Sequence, residues 1–279
     1  MRKILVTGAS GLVGSRFVEL YPHPRDLLTP GLDEFDLLHP DVYLAKNIPD
    51  VVLNFAAYTN VSEAEKQRGD KNGPCWQINV EGTKNLVSAL PASTHLIHIS
   101  TDMVFSGSAS DPGPYSSDHQ PSTNNQQLTW YGYTKAEAEK IIGDRGTIVR
   151  LIYPVRAKYA AKLDYLRKPL DLFNQGKLYP LFTDQQISIT FIDEACLALQ
   201  KIIDQRLSGV FHMSCPDTTT PYEIITYLLQ KLGKDISGVQ KSSVDPKRYT
   251  QYGGLKPSFD FLPWRQIVDK LIEQGIETV

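Results

Sequence analysis

The sequence has little of several features that mark specialised classes of protein. Its 279 residues include three cysteines, Cys75, Cys196 and Cys215. An odd number at wide spacing fits neither a disulfide framework nor a zinc site. Glycine and proline, at 19 and 18 residues, are too few for a collagen-like or low-complexity chain. These absences favour an ordinary globular protein with reduced thiols and no bound metal.

Charge and hydropathy exclude two kinds of partner. Lys and Arg total 29 against 31 for Asp and Glu, whereas a dedicated nucleic-acid binder carries a basic excess. No run of about 18 apolar residues indicates a transmembrane helix, and the N-terminus lacks the long apolar region of a signal peptide. We therefore expect a cytoplasmic protein that binds neither nucleic acid nor membrane.

The sequence does contain a regular alternation of buried strands and amphipathic helices. Apolar runs predict strands over residues 3–7, 50–55, 95–100 and 147–152. Helical spacing of apolar residues predicts helices over residues 12–21, 78–90 and 131–142. Such alternation is typical of βαβ units. It predicts an α/β fold with a Rossmann-type, doubly wound parallel sheet and a small C-terminal lobe.

The regular alternation of predicted strands and helices ends after Tyr153. The later pattern predicts helices and strands over residues 163–174, 186–191, 192–203, 209–213 and 221–232. A long polar loop covers residues 106–129, and residues 242–263 have no assignable period. We expect a cofactor-binding core over residues 1–153, rejoined by about 186–213. Residues 154–185 and 214–279 would then form a substrate-binding lobe.

A glycine-rich turn joins the first predicted strand to the first helix. Gly8, Gly11 and Gly14 follow the pattern Gly-x-x-Gly-x-x-Gly. Glycines allow a tight turn and a close approach to a pyrophosphate, whose charge is favoured by the N–H groups of a helix N-terminus. Because this turn follows the first strand of an alternating chain, it predicts a dinucleotide site.

The choice between NAD and NADP depends on the segment about 20 residues after the glycine-rich turn. NAD enzymes usually carry an acid there, about 20 residues after the glycines, to hold the ribose 2′-hydroxyl. Residues 27–31 contain no acid. Arg16 and Arg25 could meet a 2′-phosphate, and Asp36 is assigned to the adenine side. NADPH is favoured, and NAD remains an alternative.

A tyrosine and a lysine four residues apart share one face of a helix. The ammonium can lower the pKa of the phenol and make it a usable proton donor or acceptor. Three pairs in this chain have the spacing: Tyr131/Lys135, Tyr227/Lys231 and Tyr252/Lys256. The spacing alone is therefore not specific.

Context separates the three pairs. Only Tyr131/Lys135 begins a helix after a strand that ends in Ser100, Thr101 and Asp102. Residues past the carboxyl end of a parallel strand face the cofactor crevice. We therefore predict that Tyr131 transfers a proton to a substrate oxygen that Thr101 also binds.

With these motifs the sequence resembles the extended short-chain dehydrogenase/reductases, and within them the dTDP-4-dehydrorhamnose reductase group. The matching stretches are residues 6–14, 54–61, 78–83, 100–107 and 131–135, with a partial match over 184–190. The resemblance implies an NAD(P)-dependent oxidoreductase that reduces a nucleotide-linked 4-keto-6-deoxy sugar.

The resemblance also implies a role for each matching residue. Tyr131 would be the general acid, Lys135 would bind the nicotinamide ribose and tune Tyr131, and Thr101 would polarise the substrate carbonyl. The implied cofactor-binding residues are Gly8, Ser10, Gly11, Leu12, Val13, Gly14, Asp36, Leu37, Phe55, Ala56, Ala57, Tyr58 and Lys135. The implied substrate-binding residues are Thr59, Val61, Thr101, Asp102, Met103, Tyr131 and Tyr153.

Departures from the family pattern leave alternatives open. Met103 stands where the family often has tyrosine, and residues 122–129 resemble an insertion. The alternatives are a sugar-nucleotide epimerase or dehydratase of the same superfamily, and a non-catalytic NAD(P)-binding subunit like the methionine adenosyltransferase β-subunit. The oligomeric state is also open, with a homodimer among the alternatives.

Two further features are predicted to be structural. His95, His98 and His212 lie in apolar strands and are expected to be packed side chains rather than ligands. Residues 63–66 are expected to form a solvated helix face.

Overall fold

The computed structural model describes residues 2–245 and 249–276. Their Cα positions form two compact units. The first contains the described residues of Met1–Phe105, Gln120–Arg150 and Cys196–Phe211. The second contains those of Ser106–His119, Leu151–Ala195 and His212–Val279. The long polar loop is therefore divided between the two units after His119.

The helices and strands have the following bounds. The strands are β1 (Ile4–Thr7), β2 (Leu27–Leu28), β3 (Val51–Asn54), β4 (His95–Thr101), β5 (Gly146–Leu151), β6 (Pro154–Val155), β7 (Leu181–Phe182), β8 (Thr190–Phe191), β9 (Gly209–Met213) and β10 (Lys241–Ser242). The helices are α1 (Leu12–Leu20), α2 (Pro40–Leu44), α3 (Val61–Glu65), α4 (Pro74–Trp76), α5 (Gly82–Ala89), α6 (Trp130–Ile142), α7 (Arg167–Asn174), α8 (Ile192–Gln205), α9 (Pro221–Lys231) and α10 (Trp264–Glu273). A π-helical turn (Gln77–Glu81) precedes α5, and 3-10 turns occur at Pro24–Asp26, Asp102–Val104 and Gly143–Arg145.

The central sheet has six strands in the order β2-β1-β3-β4-β5-β9. Strand β1 pairs in parallel with both β2 and β3, and β3 pairs in parallel with β4. The strand order reverses at β1, which is the topological switch point where open α/β sheets bind ligands beyond their carboxyl ends. The predicted Rossmann-type parallel sheet is confirmed.

The same residues that predicted the strands build the core of the first unit. Leu5, Val52 and Leu96, from β1, β3 and β4, are fully buried. They pack with Leu86 of α5 and Ile142 of α6 in one apolar cluster. Each such side chain contributes about 1.5–3 kcal/mol when removed from water. This burial holds the three strands in the register that aligns their carboxyl ends.

The second unit has its own apolar core, built chiefly from α9 and α10, with Leu170 of α7 packed into it. Helix α7 begins at Arg167, later than predicted, because the Asp164 carboxylate accepts the backbone N–H groups of Leu166 and Arg167. The predicted strand over residues 186–191 shortens to β8. Gln186 and Ile187 form only isolated bridges, to Tyr252 and Thr219.

The described residues carry neither a disulfide nor a metal-type cluster. Cys75, Cys196 and Cys215 are buried free thiols. Residues 2–245 and 249–276 include no group of three or more His, Cys, Asp or Glu side chains arranged to hold a metal ion. Over the same ranges, no helix combines the length and apolarity required to cross a membrane.

Candidate active site

The glycine turn after β1 has a geometry that excludes larger residues. Gly8 has a φ of +64°, and a Cβ added there would lie 2.8 Å from the backbone nitrogen of Ala56. A Cβ added at Gly14 would lie 2.4 Å from the carbonyl oxygen of Gly8. Helix α1 then starts with no acidic residue in its first turn. The close turn and the helix N-terminus fit the pyrophosphate of a dinucleotide.

The segment after β3 lies next to this turn. The Ala56 N–H donates to Thr7 Oγ1 at 3.2 Å. The Tyr58 N–H donates to Asn79 Oδ1 at 2.8 Å, and Asn79 Nδ2 donates back to the Tyr58 carbonyl at 3.2 Å. Asn79 thus fixes the backbone of the predicted cofactor segment from the π-helical turn.

The other predicted cofactor residues fall in three places. Ser10 lies in the glycine turn, Leu12 and Val13 open α1, and Phe55 and Ala57 flank Ala56. Asp36 is exposed, and its Oδ1 accepts the N–H of Leu38 at 2.8 Å. Leu37 is 7% exposed and belongs to the core of the first unit.

Two side chains set the start of α6, which carries Tyr131 and Lys135. Thr129 Oγ1 accepts the Gly132 N–H at 3.1 Å. Glu65 Oε2 accepts the Trp130 N–H at 2.9 Å. Glu65 is exposed, as expected for the face over residues 63–66, yet its carboxylate reaches a helix N-terminus 65 residues further along the chain. The expectation of a solvated face is wrong at Ala64, which is fully buried.

A close backbone approach brings α6 to the turn that follows β4. A Cβ added at Gly132 would lie 2.1 Å from the carbonyl oxygen of Met103. Tyr131 thereby comes within the electrostatic influence of Asp102. Burial and then the Asp102 carboxylate raise the pKa of Tyr131 above its usual value. This direction is opposite to the one expected from Lys135 alone, and it keeps the phenol in its proton-donating form.

Lys135 is 2% exposed. Its Nζ donates to the Ile99 carbonyl at 2.7 Å and lies 2.8 Å from His98 Nε2. Burial lowers the pKa of Lys135 to about 8, and the charge of Glu139 opposes that shift. An ammonium has three donors, so one remains for a further partner once Ile99 and His98 are bonded.

Thr101 and Asp102 form a hydrogen-bonded unit at the end of β4. Thr101 Oγ1 donates to Asp102 Oδ1 at 3.0 Å and accepts the Met103 N–H at 3.2 Å. Burial raises the pKa of Asp102 to about 7. Near neutral pH the carboxyl is therefore present in both forms, and when protonated it can donate to Thr101 and release the threonine proton for another acceptor.

The first unit brings together most of the predicted site. Thr101, Asp102 and Met103 lie at the end of β4, beside Tyr131 and Lys135 of α6. Thr59 and Val61 lie at the start of α3. Tyr153 belongs to the second unit, where its φ is +38° and its ring centroid lies 4.1 Å from that of Tyr165. A positive φ is uncommon for a residue other than glycine.

Sequence reasoning missed several residues that shape the site, among them Asn54, Asn79, His98 and Gly132. His98 was expected to be a packed side chain, and it is buried, but both ring nitrogens face polar partners. One available signal was strand register, because Thr7, Asn54 and His98 end up side by side on β1, β3 and β4.

The fold and site together define a Rossmann-type protein of the short-chain dehydrogenase/reductase kind. A family model described as "RmlD substrate binding domain" matches residues 1–253. The chain belongs to this family, and the predicted family resemblance is confirmed.

Named relatives and a solved structure agree with the assignment. The chain is 35% identical over 253 residues to a dTDP-4-dehydrorhamnose reductase of Streptomyces griseus, covering 86% of this chain and 79% of the relative. It is 27% identical over 277 residues to a dTDP-4-keto-6-deoxy-D-glucose reductase of Streptomyces niveus, covering 94% and 90%. It superposes with a TM-score of 0.84 on a Bacillus anthracis dTDP-4-dehydrorhamnose reductase in complex with NADP, at 21% identity, covering 98% and 99%.

Proposed function

We propose that the chain is an NADPH-dependent reductase of a nucleotide-linked 4-keto-6-deoxy sugar, of the dTDP-4-dehydrorhamnose reductase type. The observation that carries the proposal is the placement of the half-buried Tyr131 and the buried Lys135 beside the Thr101–Asp102 turn. This placement occurs in the unit that also holds the glycine turn. The named reductases among the relatives support the substrate class.

The residues of the first unit fit a dinucleotide. The turn at Gly8, Gly11 and Gly14 would take the pyrophosphate, residues 55–58 would line the cofactor, and Lys135 would meet the nicotinamide ribose. When bound, the reduced nicotinamide supplies a hydride to the carbonyl carbon. Thr29, Pro30 and Gly31 follow β2 without a carboxylate, which favours NADPH over NADH.

The protein's own residues would manage the proton. Tyr131, whose pKa is raised, donates its proton to the oxygen that becomes the sugar hydroxyl. Thr101 binds the same oxygen once its own proton is released from Asp102. The Lys135 ammonium stabilises the phenolate that Tyr131 leaves behind.

The remaining assignments complete the proposal. The first unit would bind the cofactor, and the second unit, with Tyr153, would be the substrate lobe. Thr59, Val61, Asp102 and Met103 would contact the sugar nucleotide. We also place the enzyme in the cytoplasm, and we propose a homodimer as its assembly.

The test is oxidation of NADPH and of NADH, followed by absorbance, with freshly generated dTDP-4-dehydro-L-rhamnose. Tyr131→Phe should lower kcat by about 10²- to 10⁴-fold, the usual contribution of a positioned proton donor. NADPH binding, followed by nucleotide fluorescence, should be unchanged. Tyr227→Phe, which alters a tyrosine with the same lysine spacing, should retain the full rate.

Two results would overturn the proposal. Absence of turnover by a protein that binds NADPH would contradict the assigned substrate. Co-purification of a stoichiometric partner without turnover would favour a regulatory subunit instead.

A further inference from the structure

A row of buried polar side chains crosses three strands and ends at Lys135. Thr7, Asn54 and His98 are register neighbours on β1, β3 and β4, and each is 1% exposed. Thr7 Oγ1 lies 2.5 Å from Asn54 Oδ1, and Asn54 Nδ2 lies 3.1 Å from His98 Nδ1. His98 Nε2 then lies 2.8 Å from Lys135 Nζ. Each polar group in the row therefore depends on the proton position of its neighbour.

With Lys135 as an ammonium, the hydrogen bonds that join Lys135, His98 and Asn54 have only one possible arrangement. Nζ can only donate, so His98 Nε2 must accept and the imidazole proton must be on Nδ1. That N–H needs an acceptor, so the Asn54 amide must present its oxygen to His98. The Asn54 NH₂ then donates to Thr7 Oγ1, which already accepts the Ala56 N–H.

With Lys135 as a neutral amine, the opposite arrangement is satisfied. The amine keeps a donor for Ile99 and gains a lone pair, which accepts a hydrogen bond from the Nε2–H of His98. His98 Nδ1 now accepts, so Asn54 presents its NH₂ to it. The Asn54 oxygen then accepts the Thr7 hydroxyl. These are the donor and acceptor directions that the two side-chain contacts of Asn54 have in the structure.

We infer that His98 is a positioning residue whose tautomer is coupled to the charge on Lys135, and through Asn54 to the Thr7 hydroxyl beside the glycine turn. The catalytic consequence rests on the proposed function, because only there does the Lys135 ammonium assist Tyr131. In the change from ammonium to amine, Lys135 loses one proton to solvent. One proton moves from Nδ1 to Nε2 of His98, and the Asn54 amide turns over.

Other charged and titratable groups lie around Lys135, and each must be considered as the source of the proton that is released near pH 8. Glu139, on the next turn of α6, is held by Arg150 through a buried ion pair of 2.7 Å. Cys75 of α4 has its pKa raised by burial. Burial and the charge of Lys135 keep the pKa of His98 well below its usual value, so its ring stays neutral. Asp102, at the end of β4, has a pKa of about 7 and also titrates in this range, but its carboxyl is bonded to Thr101 and is not part of the row. Within the row, the proton released near pH 8 therefore comes from Lys135.

The direct test is ¹⁵N NMR of the cofactor-free protein, with histidine labelled at both ring nitrogens. His98 is identified among the six histidines by the signals lost in His98→Gln. Between about pH 6 and pH 10, its proton should move from Nδ1 to Nε2 with the midpoint of Lys135. A His98 ring that keeps one tautomer throughout, or becomes doubly protonated in this range, would overturn the inference.

Kinetics supply the second test. His98→Leu removes the acceptor of the buried ammonium, so the alkaline limb of kcat/KM against pH that belongs to Lys135 should move to lower pH. The profiles are recorded in an Asp102→Asn background, which removes the titration of Asp102 near pH 7. His98→Gln keeps an acceptor for the ammonium, so its alkaline limb should lie at the wild-type pH. An unmoved limb in a folded His98→Leu would contradict the positioning role, whereas a merely structural residue would change the rate without moving the limb.

The two tests separate this inference from the proposed function. A tautomer switch in a protein that reduces no sugar nucleotide would keep the coupling and reject the function. Reduction of the sugar nucleotide by a protein whose His98 keeps one tautomer would reject the coupling and keep the proposed function. If His98→Leu does not fold, the wild-type NMR titration still decides.

Discussion

Two tyrosine–lysine pairs with identical spacing lie on helices of this protein, and their surroundings make them different chemical groups. Lys135 of α6 is buried, with a neutral imidazole and a carbonyl as its partners. Lys231 of α9 is half exposed, and its Nζ lies 3.1 Å from the Asp269 carboxylate. Tyr227 donates to the same carboxylate at 3.1 Å. One pair is desolvated, and the other is solvated and paired with an opposite charge.

The consequence is a pair of opposite pKa shifts. Burial lowers the pKa of Lys135 to about 8. The Asp269 carboxylate raises the pKa of Lys231. Spacing places the two side chains on one helix face in both cases, but the partners and the solvent decide whether the lysine titrates near neutral pH. The comparison shows that reactivity depends on what the helix face is packed against.

The largest expected difference between the pairs is in reduction rate. Lys135→Met should lower kcat/KM by about 10²- to 10⁴-fold, because Tyr131 loses the charge that stabilises its phenolate. Lys231→Met should leave kcat/KM unchanged. NADPH oxidation with the sugar nucleotide measures both variants. Equal losses of kcat/KM in the two variants would mean that spacing, and not environment, determines which tyrosine–lysine pair is reactive.

The next effect concerns the stability of the buried helix face that carries Lys135. Arg150→Met leaves Glu139 as an unpaired buried carboxylate, since both side chains are at most 4% exposed. We expect the free energy of unfolding to fall by about 3–5 kcal/mol. Urea unfolding checks this value, with Lys231→Met as a solvated control that should show no resolved change.

A double variant sharpens this prediction. Glu139→Leu combined with Arg150→Met removes both charges and should lose less stability than Arg150→Met alone. A double variant that is less stable than the single variant would show that packing, and not the unpaired charge, is the cause.

The next prediction concerns the pH dependence of stability and the carboxyl group of Asp102, which lies near the Tyr131/Lys135 pair. Asp102 has a pKa of about 7 in the folded protein against an ordinary value of 3.8. The folded state therefore binds more protons between these values, and stability falls as pH rises through them. Asp102→Asn should flatten this fall in Tm between about pH 4 and pH 7.

Asp269→Asn is the matched control, because it alters the carboxylate beside Tyr227 and Lys231. Comparison of the two variants shows whether the change in pH dependence is specific to Asp102. The prediction fails if Asp102→Asn and wild type lose the same Tm over this range.

The smallest effect is expected at Tyr227. Tyr227→Phe removes one partly buried hydrogen bond to Asp269 and should lower the free energy of unfolding by about 0.5–1.5 kcal/mol. The reduction rate should not change. Thermal and urea unfolding, run beside Tyr131→Phe, measure the loss. A fall in rate comparable to that of Tyr131→Phe would contradict the assignment of the reactive pair.

The elements predicted from local patterns agree with the structure where the pattern is strong. The four predicted strands of the first part correspond to β1, β3, β4 and β5, because unbroken apolar runs are buried on both faces of a parallel sheet. The predicted helices over residues 12–21 and 131–142 correspond to α1 and α6. The weaker pattern over residues 186–191 was only partly correct, since its polar start finds single bridges rather than a strand partner.

The sequence by itself determined the strand–helix alternation, the glycine turn after β1 and the candidate Tyr131/Lys135 pair, because these depend on neighbours within a few residues. Tertiary structure alone decided that His98 meets Lys135, 37 residues away, and that Asn54 meets His98 across 44 residues. It also decided that Glu65 caps α6. The physical reason is that desolvation and hydrogen-bond partners come from strand register and helix packing, which bring together residues that no local pattern connects.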